Sequence, residues 1–219
     1  MIENIIKHKF YSSVISDIIK AIQGECFTGA YTLSFCCIDY MGLALNPGKD
    51  KNVKSDFIAF VGNYMNKING NYGKYGDQLY AIRCSLVHSY GPSNSTDKLS
   101  FMPHLAFYMP MEFHLWIEAK NNKTTFYLVL ADFVSDLIAS IALFFNEIQD
   151  PKHYEIWEGK LFYDTGMCQV NKRNEIRNTG AFKYGEINPI LGIMDEKTDL
   201  IAIRKDIYNR LNEIIKPCV

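Results

Sequence analysis

The segment Arg83-Cys84-Ser85-Leu86-Val87-His88-Ser89-Tyr90 places a guanidinium, an imidazole and a phenol within eight residues. A guanidinium is a permanent cation whose planar fork of donors fits a phosphate, and an imidazole exchanges a proton near neutral pH. These are the minimum parts for cleaving an RNA phosphodiester without a metal. One group moves the proton of the attacking hydroxyl, and the other neutralises the charge that develops on the phosphate oxygens. The plainer structural reading is a histidine at a helix end and an arginine tied to a nearby carboxylate.

The elements around this segment set what it can do. Leu79-Tyr80-Ala81-Ile82 leads into it with a helical pattern, Asp77 is a suitable start, and Gly91-Pro92 ends it. On a helix, five residues turn the chain by roughly 500°, so Arg83 and His88 stand about 140° apart. Arg83 falls on a stripe with Leu79, Leu86, Val87 and Tyr90, whereas His88 shares a face with Ala81, Cys84 and Ser85. Those small residues would let a second backbone approach closely. A two-fold homodimer, laying two copies of the helix over one cleft, would focus both groups on one phosphate. Asp39 lies in the otherwise apolar run Phe35-Cys36-Cys37-Ile38-Asp39-Tyr40-Met41. A carboxylate there needs a partner, because burying an unpaired charge is strongly unfavourable. Arg83 is the best candidate, either as a structural ion pair or as a guanidinium that Asp39 orients.

Three parts of different periodicity follow one another. Over 3–22, Ile6, Phe10, Val14, Ile18 and Ile22 form the ladder of an amphipathic helix. Ala30 to Leu45 is apolar almost all round and reads as a central buried helix, stopped by Asn46-Pro47-Gly48. Ser55 is placed to cap a third helix carrying Phe57, Ile58, Phe60, Val61, Tyr64 and Met65. Between about 99 and 130 the runs become short, aromatic and β-branched, separated by Pro110 and by Lys120-Asn121-Asn122-Lys123. This predicts a hairpin or a small three-stranded antiparallel sheet, with His104 and His114 on strands as surface or sheet residues. From Asp132 to Ile148 the helical period returns through Phe133, Leu137, Ile141 and Phe144, and Asp199 to Ile215 closes the chain as another amphipathic helix. The expected fold is therefore mainly α (α+β), with a helical domain over 1–150 that includes the β insertion. Residues 151–219 form an extension packed on that domain.

Composition narrows the class. Of 219 residues 48% are hydrophobic, and the net charge is −1, so no global basic field advertises nucleic acid. Lys172, Arg173, Arg177 and Lys183 make one local basic stretch, by default solvated surface and otherwise an RNA-contacting edge. The six cysteines include no Cys-x-x-Cys, and the five histidines are scattered, so buried reduced thiols and no metal or cofactor are expected. The longest apolar run, Leu137 to Phe145, falls well short of the ~20 residues of a membrane span. Residues 1–7 lack the pattern of a signal peptide. The expectation is a cytoplasmic protein with no membrane partner.

Helices followed by Arg83-x4-His88 and a further helix resemble the HEPN superfamily of RNases, toxins and nucleotide-binding domains. Leu79-Tyr80-Ala81-Ile82-Arg83-Cys84-Ser85-Leu86-Val87-His88 particularly resembles a bacterial and plasmid branch of it. With Tyr90 the segment takes the Arg-x4-His-x-Tyr form of HEPN toxins. The resemblance covers roughly residues 1–150, departs at Cys84, where a polar residue is usual, and concerns a longer chain than a compact HEPN toxin. It implies a HEPN-like bundle and a homodimeric, metal-independent endoribonuclease, a toxin or defence effector. In that chemistry the 2′-hydroxyl attacks the adjacent phosphate to leave a 2′,3′-cyclic phosphate. Arg83 and His88 would be catalytic, Asp39, Cys84, Ser85 and Tyr90 supporting, and Tyr72 and Tyr75 available either for stacking bases or for packing. A nucleotidyltransferase antitoxin that modifies Tyr90 is the implied partner. The alternative within the same resemblance is a non-catalytic domain that binds RNA or a nucleotide, or an interaction protein.

Overall fold

A computed structural model describes residues 10–46, 54–89, 102–106, 111–120, 123–148 and 200–215. A π-helical stretch, Tyr11–Ile15, runs into α1 (Ser16–Gln23), and α2 spans Phe27–Ala44. Helix α3 starts at Lys54–Phe60, passes through a π-helical segment at Val61–Met65 and ends with Asn66–Ile68. A 3-10 turn (Tyr72–Lys74) leads to α4 (Gly76–Ser89). Strands β1 (Met102–Ala106), β2 (Trp116–Lys120) and β3 (Lys123–Val129) follow, with α5 (Leu130–Glu147) continuing directly from β3. Helix α6 is Leu200–Ile215. The chain is mainly helical with a small inserted sheet, as its periodicities require. Ser55 lies inside the first turn of α3, since Lys54 is already helical.

Helix α5 is the most enclosed element. Every residue from Leu130 to Ala142 is buried, as are Phe144 and Phe145. The expected central helix, α2, instead leaves an edge open at Leu33 and Cys36. Aromatic rings join the layers: Phe35 of α2 lies 4.9 Å from Phe133 of α5, and Phe144 meets Phe60 and Tyr64 edge-on. Ser135 and Ser140 donate to the carbonyls of Ala131 and Asp136, so their hydroxyls are satisfied inside the apolar helix.

The sheet order is β1-β3-β2. Strands β2 and β3 form the expected antiparallel hairpin, pairing Trp116 with Tyr127 and Lys120 with Lys123. Strand β1 departs from the expected antiparallel sheet and runs parallel to β3, pairing Met102 with Thr125 and Ala106 with Val129. Local alternation identifies a strand but not the direction of a neighbour reached through a longer connection. On β3, Phe126 and Leu128 face the core, while Tyr127 stacks on Trp116. His104 lies on β1, but His114 precedes β2 in a turn and is buried.

Helix α6 lies along α5 and touches α1. Its fully buried apolar anchors among the described residues are Ile207 and Leu211. Each contributes roughly 1.5–3 kcal/mol of burial, and Tyr208 packs partly buried against the same core.

Close approach of α2 and α3 fixes where Asp39 stands. A Cβ on Gly42 would lie 2.7 Å from the Asp56 carbonyl oxygen and 3.0 Å from the Phe57 nitrogen, backbone that cannot step aside. Gly42→Ala is therefore expected to destabilise the protein by about 2 kcal/mol through overpacking. Urea unfolding would measure it as a lower midpoint at unchanged slope.

Candidate functional site

Helix α4 presents Leu79, Ile82 and Leu86 to the core, all at most 1% exposed. Arg83 follows Ile82 and stands at the rim of this buried face. Its Nε donates to Asp39 Oδ2 at 2.5 Å, joining α4 to α2, with 21% and 17% of the two side chains exposed. The pairing expected from the sequence is the one the structure makes. The guanidinium carbon also lies 5.9 Å from the Tyr80 ring centre. Burial raises the Asp39 carboxyl above the ordinary carboxylate value, and the hydrogen bond and charge of Arg83 oppose that rise.

His88 is exposed in the last turn of α4, beside Val87, which is 38% exposed. Within one chain the two motif residues therefore occupy different surroundings, Arg83 held against α2 and His88 in solvent. Val87 was expected on the stripe of Arg83 and faces water. Ser85 was expected beside His88 and is 5% exposed, while Cys84 is half-buried. Cys37 is a buried thiol as expected, but Cys26 and Cys36 are exposed. Leu33 and Cys36 of α2 and Val87 and His88 of α4 are exposed residues of the two helices that carry the Asp39–Arg83 pair. Tyr90, Lys172, Arg173, Arg177 and Lys183 lie outside the described residues. Tyr72 is fully buried and Tyr75 packs on Phe126 at 5.0 Å, so both serve packing.

A second polar assembly sits in the core. Asp132 and Asp136, one turn apart on α5, are 0% exposed. Arg204 of α6 reaches both, through Nε to Asp136 Oδ1 and through Nη2 to Asp132 Oδ1 at 3.3 Å. His114 places Nε2 2.9 Å from the Tyr72 hydroxyl and 3.4 Å from Asp136 Oδ2. Its Nδ1 accepts the Val129 backbone N–H at 3.2 Å, which assigns the ring proton to Nε2. Both imidazole nitrogens are thus engaged in holding the fold together. Burial, strengthened by the Asp136 charge and opposed by His114 when protonated and by Arg204, pushes the Asp132 carboxyl up to about 6. Above the assembly opens a cleft of about 600 Å³, lined by Ile68, Asn69, Asn71, Glu112, His114 and Arg204. Among the described residues no three His, Cys, Asp or Glu side chains converge as a metal-ligand set.

Sequence reasoning missed this assembly, although its signal was the one that found Asp39. Two aspartates four residues apart in an otherwise apolar helix demand a cation, and Arg204 sits in the amphipathic helix read over Asp199 to Ile215. Its histidine was hidden because His114 was assigned to a strand, where its side chain would have faced outward.

Comparison of the chain with models of known protein families, with characterised proteins and with solved structures gives no match.

The half-buried Asp39–Arg83 bond has a measurable consequence. Arg83→Ala and Asp39→Ala are each expected to cost about 2 kcal/mol, because each leaves a partly desolvated partner. The double variant should cost less than the sum, with a coupling of about 1–2 kcal/mol in a double-mutant cycle read by chemical denaturation.

Proposed function

We propose that the protein is a metal-independent endoribonuclease in which Arg83 and His88 act across a homodimer. The observation that carries this reading is the Asp39–Arg83 bond at the rim of the α2–α4 face, with His88 exposed five residues further along α4. Asp39 holds Nε of the guanidinium, so the fork has a defined orientation rather than the freedom of a solvated arginine, and preorganised charge is what stabilises a phosphorane-like transition state. His88 is accessible to a substrate and sits where a proton can be exchanged with water. Because the two groups diverge on one helix, a second copy laid against the exposed Leu33, Cys36 and Val87 supplies the way to bring an arginine and a histidine to one phosphate.

In this reading the RNA 2′-hydroxyl attacks its neighbouring phosphate and loses its proton to one histidine. That histidine returns the proton to the 5′-oxygen as its bond to phosphorus breaks, and Arg83 stabilises the charge on the non-bridging oxygens. The product is a 2′,3′-cyclic phosphate. The protein then acts in the cytoplasm as a toxin or defence effector, with Tyr90 as the residue an antitoxin nucleotidyltransferase modifies. No helix among the described residues is long and apolar enough to cross a membrane, which suits an RNA substrate in solution. A second reading, a domain that binds RNA or a nucleotide without cutting it, draws on the same bond, since Asp39 already engages Arg83.

The deciding experiment is cleavage of RNA by purified protein in EDTA, with His88→Ala alongside. The wild type is expected to give cyclic-phosphate ends. The variant should lose about 100-fold or more of the rate with an unchanged melting temperature, because His88 is exposed. Equal cleavage by both proteins would remove His88 from the mechanism, and binding without cleavage would establish the second reading.

A further inference from the structure

The core assembly leaves a charge imbalance. Asp132 and Asp136 supply two carboxylates with no exposure, and Arg204 supplies one guanidinium. His114 adds no charge in the hydrogen-bonding state seen here, because its Nδ1 accepts from Val129. Among the described residues the sum is one uncompensated negative charge on two carboxylates that water does not reach. Asp132 Oδ2 and Asp136 Oδ2 are, moreover, buried acceptors that receive no hydrogen bond among the described residues. A single proton on the carboxylate pair removes the excess charge and turns one such oxygen into a donor.

The cation that partly balances the pair comes from α6, which lies along α5 and buries Ile207 and Leu211 among its described side chains. If α6 lifts away, Arg204 leaves with it and water reaches the aspartates. We propose that α6 is a proton-coupled latch, docking on α5 with uptake of one proton by the Asp132–Asp136 pair. The cleft bordered by His114 and Arg204 gives that proton a path from solvent. This device is separate from Arg83 and His88.

The groups facing the pair are consistent with a proton residing there. From the 3-10 turn comes Tyr72, and from α2 comes Tyr31, whose hydroxyl donates to the Leu128 carbonyl. Burial first, and the nearby aspartate charges second, hold both phenols protonated well above their ordinary range. From the turn before β2 come His114 and, at the edge of the cleft, Glu112. Arg204 stays charged, because the lowering by burial is outweighed by its bond to Asp136 together with the charges of Asp136 and Asp132. Asp132 then carries the titration, pushed up to about 6 chiefly by burial. Its ordinary value is about 3.9, so the docked state holds the proton over the window between these values and the open state does not. Docking is therefore strongest at low pH, weakens as pH rises through that window and levels off above it. From pH 5 to pH 7.5 the docking constant should fall about tenfold.

Backbone hydrogen exchange over residues 200–215 tests the latch, with wild type and Asp132→Asn compared at the same pH so that intrinsic exchange rates cancel. The expected result is that wild type loses about tenfold in protection relative to the variant between pH 5 and pH 7.5, while amides of α2 keep their ratio. An unchanged ratio in α6 would overturn the latch, and so would an equal change in α2, which would place the proton uptake in global unfolding. If Asp132→Asn does not fold, carboxyl carbon-13 titration of the wild type decides. A midpoint near pH 6 is expected, and midpoints below about 4.5 for every aspartate would overturn it.

Discussion

Two carboxylates buried inside the helix that forms the middle of the core are the constraint on which the rest of the structure depends. Helix α5 is almost wholly enclosed, so Asp132 and Asp136 cannot be solvated and must be answered by other parts of the chain. The answers come from Tyr72 before α4, His114 before β2 and Arg204 in α6. His114 in turn takes the N–H of Val129, the last residue of β3, which fixes the junction between the sheet and α5. One polar assembly thus ties the 3-10 turn before α4, the sheet and α6 to the same turn of α5. Removing the cation would leave two buried carboxylates facing each other without a counter-charge among the described residues.

The same pairing of aspartate and arginine occurs at the rim, with a different physical weight. Asp39 and Arg83 retain about a fifth of their side-chain exposure, so water screens them and the desolvation cost is partial. Asp132 and Asp136 retain none, so their bond to Arg204 offsets a much larger penalty and does so incompletely. A rim pair with moderate energy is well suited to holding a side chain in one orientation. A core pair with an unbalanced charge is suited to responding when that charge changes. The distinction follows from exposure alone.

Much of the architecture could be read from side-chain periodicity. The buried Phe10, Ile18 and Ile22 of the first helical ladder, the enclosed stripe of α5 and the β2–β3 hairpin are all local patterns, and local patterns survive without knowledge of the fold. The bond between Asp39 and Arg83 was legible because a lone carboxylate in an apolar helix has few possible partners. What escaped depended on long-range geometry. The parallel run of β1 is set by a connection rather than by alternation, and the exposure of Leu33 and Cys36 depends on which side of α2 lacks a neighbour. His114 looked like a strand residue because Glu112 to Glu118 alternates, whereas the chain turns there and drives the ring inward, where Tyr72 and Val129 engage it.

The two assemblies divide the chemistry of the chain in a way that bears on the choice of active residues. A histidine engaged at both nitrogens cannot shuttle a proton to a substrate without giving up a bond that holds the fold together. His114, although buried beside a carboxylate and a phenol in an arrangement that superficially suits general-base catalysis, is therefore committed to structure. His88 is its opposite: exposed on the last turn of α4, with reach to a substrate but no fixed pose of its own. A catalytic imidazole needs both access and orientation. The nuclease reading takes the missing orientation from a second copy laid against the α2–α4 face, while the core assembly is held within one chain.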